Sequence, residues 1–138
     1  MKKKIILITG SAGFIGYHVS KLMMKKNHII IGLDNLNNYY DVKLKKERIH
    51  NLIAYSKRNK FKFLFKKLDI SDSKPLKRLF TKYKITHVVN LAAQAGVRYS
   101  ITNPESYVKS NLIGFSNLIH QSQIHKIKHF LYASTSSV

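Results

Sequence analysis

Residues Ile5 to Ile8 form an apolar run that breaks at Thr9-Gly10 and continues as Ser11-Ala12-Gly13-Phe14-Ile15-Gly16. A strand, a tight turn and a helix start therefore follow one another within twelve residues. Such a turn brings backbone N–H groups and the positive end of a helix dipole close to an anion, typically a pyrophosphate. The three glycines divide the work. Gly10 permits the sharp turn, Gly13 lets phosphates approach the backbone, and Gly16 lets the helix pack closely on the strand. The structural context required of a dinucleotide-binding fingerprint is complete, although the spacing is Gly-x-x-Gly-x-x-Gly rather than Gly-x-Gly-x-x-Gly.

The rest of the chain repeats the alternation. Phe14, Ile15, Val19, Leu22 and Met23 recur at helical spacing and predict a buried face, and Asn27 is the stop. Ile29 to Leu33 predicts a second strand ending at Asp34, eighteen residues past Gly16. An acid there accepts hydrogen bonds from ribose hydroxyls and repels a 2′-phosphate, which favours NAD over NADP. A turn-forming Asp before Asn35 is the alternative. A polar loop, Asn35 to Asp41, leads to a lysine-rich helix over 43–56 with Leu44, Ile49, Leu52 and Ile53 as its apolar side. Phe61 to Phe65 predicts a third strand. Asp69 beyond it suits either the adenine amino group or a helix cap beside Ser71.

Ser73-Lys74-Pro75 opens another helix, buried through Leu76, Leu79 and Phe80. His87 to Leu91 predicts a fourth strand, with the small residues Ala92 and Ala93 at its carboxyl end. A loop over 94–102 precedes Asn103-Pro104, a cap and first-turn pair. The helix it opens runs to about Gln123, with Tyr107, Leu112, Phe115, Leu118 and Ile119 inward. Lys128 to Ala133 predicts a fifth strand. Strands alternating with helices give an α/β fold: a doubly wound parallel sheet with helices on both faces.

Composition narrows the function classes. The chain has no cysteine, so neither disulfides nor a thiolate metal site is available. No apolar run reaches the 18 residues or more needed to span a membrane. Lys2-Lys3-Lys4 before Ile5 imitates a secretory leader, but the run merges into the glycine turn. A reducing cytoplasm is the expected setting. Twenty-five basic against six acidic residues give a net charge of +19. Taken alone this suits a nucleic-acid partner. The lysines are spread over many positions with few arginines and no nucleic-acid motif, so a solvated lysine surface is expected and nucleic acid is not. His125 and His129 lack a third ligand, and no metal site is expected.

Four separated blocks carry a resemblance. Thr9 to Gly16, Asp34 to Asp41, Leu91 to Ser100 and Tyr132 to Val138 resemble the UDP-glucuronate 4-epimerases, NAD-dependent nucleotide-sugar epimerases of the extended short-chain dehydrogenase/reductase group. The resemblance implies a Rossmann-type domain over residues 1–138. It implies NAD held by Gly10, Ala12, Gly13, Phe14, Ile15, Gly16, Asp34, Asn35, Asp69, Ile70, Leu91, Ala92, Ala93 and Asn111. A UDP-sugar would be approached by Gln94, Gly96, Val97, Arg98, Ser136 and Ser137, with Arg98 a carboxylate or phosphate partner or simply a surface arginine. Thr135 falls where the family hydrogen-bonds the sugar's 4-oxygen; a polar strand end is the plainer reading. Related dehydratases carry acids after that threonine, where this chain has Ser136 and Ser137, so dehydration is disfavoured. The implied chemistry oxidises sugar C4 transiently and reduces it again from the other face, in polysaccharide biosynthesis.

The family's catalytic Tyr-x-x-x-Lys follows the fifth strand. Here the sequence stops at Val138, and the matches Tyr17–Lys21 and Tyr39–Lys43 lie elsewhere. The expectation is therefore an amino-terminal fragment without turnover, its sheet incomplete at the carboxyl-terminal edge and its substrate domain absent. A homodimer is an expectation for the full-length enzyme only. A non-catalytic nucleotide-binding remnant and a basic nucleic-acid-binding protein are the alternatives.

Overall fold

A computed structural model describes residues 3–134. The strands are β1 (Ile5–Thr9), β2 (Ile29–Asp34), β3 (Lys62–Lys67), β4 (His87–Asn90) and β5 (His129–Tyr132). The α-helices are α1 (Phe14–Lys25), α2 (Val42–Arg58), α3 (Ser73–Lys82), α4 (Val97–Thr102), α5 (Pro104–Tyr107) and α6 (Phe115–Ile124), with a π-helical segment at Val108–Gly114. All pairings are parallel, and the sheet order is β3-β2-β1-β4-β5. The chain winds outward from β1 to β3, then returns to the other side of β1. The reversal between β1 and β4 opens a crevice at the strands' carboxyl ends, where ligands bind in such sheets.

Strand alternation builds both faces. Ile6, Ile8 and Ile30 pack with Met24 of α1 and Leu52 of α2. Leu7, Ile31, Leu33 and Val88 point the other way, against Leu76, Leu79 and Phe80 of α3 and Leu118 of α6. A central strand buried on both faces explains why β1 reads as a continuous apolar run. The Rossmann-type doubly wound fold expected from the sequence is what the chain adopts. No helix among the described residues is long and apolar enough to cross a membrane.

Four local expectations need correction. The buried residues of α1 are Gly16, Ser20 and Met24, while Phe14, Ile15 and Leu22 face outward. Gly16 packs directly on the turn, and this rotates the bulkier positions away. On α2, Leu44 is exposed and Lys45 takes its place in the buried stripe with Ile49, Leu52 and Ser56. The loop over 94–102 contains α4. Asn103 closes that helix through its own N–H, which donates to the Tyr99 carbonyl at 2.8 Å, and its side chain makes no cap bond to α5. Finally, the long helix is interrupted by the π segment. A π turn advances less per residue than an α turn, and Leu112 and Ile119 point outward while Leu118 stays buried.

The fold also sorts charge. Lysines and one arginine crowd the turns that lead into strands: Lys3 and Lys4; Lys25 and Lys26; Lys57, Arg58 and Lys60; Lys82 and Lys84; Lys126 and Lys128. Asp34, Asp41, Asp69, Asp72 and Glu105 stand instead at the carboxyl ends of strands or the beginnings of helices. Helix dipoles favour this arrangement at both ends. Other basic residues, Lys43, Lys66, Lys67 and Lys74 among them, stand at helix starts or strand carboxyl ends.

Candidate functional site

The glycine turn forms the floor of a cavity of about 370 Å³ at the β1/β4 crevice. Gly10 has φ +68°, and a Cβ there would lie 2.9 Å from the Leu91 carbonyl and the Ala92 nitrogen. Only glycine fits that combination of left-handed backbone and close neighbour. A Cβ on Gly16 would overlap the Gly10 carbonyl oxygen. The helix start therefore sits against the turn, as the spacing predicts. The first turn of α1 carries no acidic residue, and Gly13 at its N-cap offers no side-chain bond, so the helix presents its backbone donors to the cavity.

Asp34 closes one side of the cavity. It is 7% exposed; Oδ2 accepts from the Ala12 N–H at 3.2 Å and Oδ1 from the Leu36 N–H at 2.9 Å. The second bond is the turn role weighed above, while the carboxylate also lines the cavity. Asn35 donates to Asp69 Oδ2 at 3.1 Å. Asp69 Oδ1 accepts from the Ser71 N–H at 2.9 Å and the Ser71 hydroxyl at 2.7 Å. Burial pushes the Asp69 carboxyl up, but the Ser71 and Asn35 hydrogen bonds and the nearby Lys109 charge outweigh it, and the value is lowered. Asp69 thus closes a turn onto Ser71 and does not cap α3, whose N-cap residue is Asp72, while one wall of the cavity includes Asp69.

Of the residues expected to hold a cofactor, Gly10, Gly13, Phe14, Ile15, Gly16, Asp34, Asn35, Asp69, Ile70, Leu91, Ala92 and Ala93 line the cavity. The outward turn of Phe14 and Ile15 is what puts them there. Ala12 lies underneath, fully buried, its N–H on Asp34 and its carbonyl accepting from Arg48 at 3.2 Å. Asn111 sits behind the wall: Oδ1 accepts from the Gln94 N–H at 2.8 Å and Nδ2 donates to the Gln94 carbonyl at 3.0 Å.

On the side assigned to substrate, Gln94 is buried and lines the cavity, whereas Gly96, Val97 and Arg98 lie beyond its lining and are exposed. Thr135, Ser136 and Ser137 lie outside the described residues. Of the two chance Tyr-x-x-x-Lys matches, Tyr17–Lys21 lies on α1, and Tyr39–Lys43, expected in the loop after β2, runs from that loop into the start of α2. Among the described residues no group of His, Asp and Glu could hold a metal ion.

Sequence reasoning misses Lys45, Asn37, Tyr39 and Tyr40, all of which line the cavity. The Lys45 ammonium donates to the Asn37 carbonyl at 2.9 Å and to Asn37 Oδ1 at 2.7 Å. Burial lowers its pKa against the pull of the Asp34 charge. The signal was present: Lys45, Ile49, Leu52 and Ser56 share one helical stripe.

The family described as GDP-mannose 4,6 dehydratase matches residues 7–138. The chain belongs to this NAD-dependent epimerase/dehydratase family. Within the family's reach, the chain is 43% identical over 132 residues to a UDP-glucuronate 4-epimerase of Thermodesulfobacterium geofontis, covering 96% of this chain and 39% of that protein. The solved UDP-Glc/GlcNAc 4-epimerase of Campylobacter jejuni is 33% identical with a TM-score of 0.84, over 96% of this chain and 37% of that one. A UDP-glucose 4-epimerase of Thermus thermophilus, solved in complex with NAD, is 28% identical with a TM-score of 0.78, over 95% and 37%. The chain therefore spans less than two fifths of these relatives' length.

Proposed function

We propose that this chain is the cofactor-holding part of an NAD-dependent UDP-sugar 4-epimerase of the UDP-glucuronate type. The observation that carries the reading is a cradle without side chains, formed by Gly10, Gly13 and Gly16, that faces Asp34 across one cavity. Uncapped N–H groups of α1 suit a pyrophosphate, and the Asp34 carboxylate suits ribose hydroxyls while opposing a 2′-phosphate. The residues present fit the dinucleotide. The T. geofontis relative supports the glucuronate class, and the T. thermophilus structure supports NAD.

Bound NAD would accept and return a hydride at sugar C4. This chain's own residues bind and orient: Gly13 and the α1 start take the phosphates, Asp34 the ribose, and Gln94 borders the sugar side. Thr135 would hydrogen-bond the sugar 4-oxygen, with Ser136 and Ser137 beside it. The proton acceptor, a Tyr-x-x-x-Lys in this family's pattern, would be supplied by residues other than these 138. The purified chain is accordingly expected to bind NAD without turning over UDP-glucuronate. Its Tm should rise in millimolar NAD and rise less in NADP; ligand at a hundred times Kd stabilises by about 2.7 kcal/mol. An unmoved Tm refutes the binding, and measurable formation of UDP-galacturonate refutes the missing base.

A further inference from the structure

Two parts of the chain far apart in sequence meet beside the cavity, and tyrosines make the junction. Tyr39, from the loop after β2, packs on Tyr40 with ring centroids 4.6 Å apart and on Tyr99 of α4 at 4.7 Å. Tyr99 in turn lies 6.4 Å from Tyr107 of α5. The Tyr107 hydroxyl donates to the Ala95 carbonyl at 2.7 Å and also approaches the Gly96 carbonyl. Gly96 has φ +99°, and a Cβ there would strike the Tyr39 hydroxyl. Asn111 grips both backbone groups of Gln94 from the π segment. Three side chains thus pin three consecutive residues, and two of those residues, Gln94 and Ala95, line the cavity together with Tyr39 and Tyr40.

Tyr39, Tyr99 and Tyr107 are half-buried, and Tyr40 is exposed. The α4–α5 segment has no fully buried residue, so the hydrophobic core does not hold it in place. What ties it down is the Tyr39–Tyr99–Tyr107 row and the Asn111 grip. We propose that Tyr39 and Tyr107 act as a clasp: they couple the 35–41 loop to the 94–102 segment, both of which line the cavity, and set how quickly a bound dinucleotide leaves. Tyr107 is a positioning residue, acting through Ala95 and Gly96, whereas Tyr39 also lines the cavity itself. The proposal rests on the cofactor reading above. An enzyme that oxidises and then reduces one carbon must keep its nicotinamide throughout the cycle, and two coupled wall segments serve that need.

The test has two arms on the whole 138-residue chain, comparing the unchanged protein with Tyr107→Phe and Tyr39→Ala. In the first, hydrogen exchange is followed in nucleotide-free protein. Each variant should accelerate exchange in both segments, by about tenfold for one lost hydrogen bond or aromatic contact in a local opening. The reporters are the Leu36 and Asn37 amides on one side and the Gln94, Tyr99 and Ser100 amides on the other. In the second, NADH release is followed by its fluorescence after dilution, and both variants should release it faster while remaining folded at the assay temperature, with Tm lowered by a few degrees. Acceleration confined to the mutated residue's own segment overturns the clasp, as does an unaltered release rate. If the unchanged protein binds no NADH, the cofactor reading fails, and the exchange arm alone decides whether the clasp couples the two segments.

Discussion

At the scale of single residues, the site depends on atoms that are missing. Gly16 leaves room for the Gly10 carbonyl, and no rotamer relieves a Cβ placed against backbone. Gly16→Ala should therefore destabilise the fold by about 1–3 kcal/mol, as overpacking does. It should also abolish the NAD-dependent rise in Tm, both effects read by thermal unfolding with and without nucleotide. Asp69 makes a different prediction. Its carboxyl is held below the ordinary value, so the folded chain binds fewer protons than the unfolded one, and its contribution is present at neutral pH and lost as pH falls through the lowered value. Asp69→Asn should cost about 1 kcal/mol near neutrality through the weakened Ser71 and Asn35 bonds. The difference from the unchanged protein should shrink in acid, as urea unfolding at several pH values will show.

At the scale of elements, the histidines at the start of the sheet form a row beside lysines. His28 is buried, and its N–H-accepting Nδ1 takes a bond from the Lys4 N–H at 3.4 Å. His87 stacks on His129 with centroids 6.4 Å apart. Burial first, then Lys4 and other neighbouring cations, lowers the pKa of His28 and of His87. The unfolded chain therefore takes up protons at these positions before the folded one does. Stability should fall as pH falls from the ordinary histidine value of 6.5 through the lowered values. His28→Gln and His87→Gln should each flatten the dependence of Tm on pH between 7 and 5. The two sheet edges also differ: β3 carries Lys62, Lys66 and Lys67, whereas β5 exposes Leu131 and Tyr132. Lysines guard an edge against pairing and apolar side chains do not, so association of the purified chain should proceed through β5.

Legibility varied with how local the cause was. The β1 turn, the strand alternation and the pairing of Gly10, Gly13 and Gly16 with Asp34 follow from neighbours in sequence, and they were readable. Phe14 and Ile15 line the cavity and do not join the core as periodicity suggests, because the close approach of Gly16 to Gly10 is a backbone fact that apolar periodicity ignores. Lys45 went unread because a lysine in a lysine-rich helix carries no contrast, although its stripe is buried. The π segment left no signature: the grip of Asn111 on Gln94 joins residues seventeen apart and depends on how the helix unwinds.

At the scale of the whole molecule, the sorting of charge gives the protein an orientation. The turns entering the strands are cationic throughout, while five of the six acids stand at strand carboxyl ends or helix starts, Asp34 and Asp69 of them lining the cavity. With a net charge of +19 the chain will bind a sulfonate or phosphate support. It should land on its cationic end, as a magnet settles by one pole, and leave the cavity turned to the liquid. Protein adsorbed on such a matrix at low salt should therefore still take up NADH from the flowing phase, read as fluorescence retained on the column, and release both nucleotide and protein together only when salt is raised.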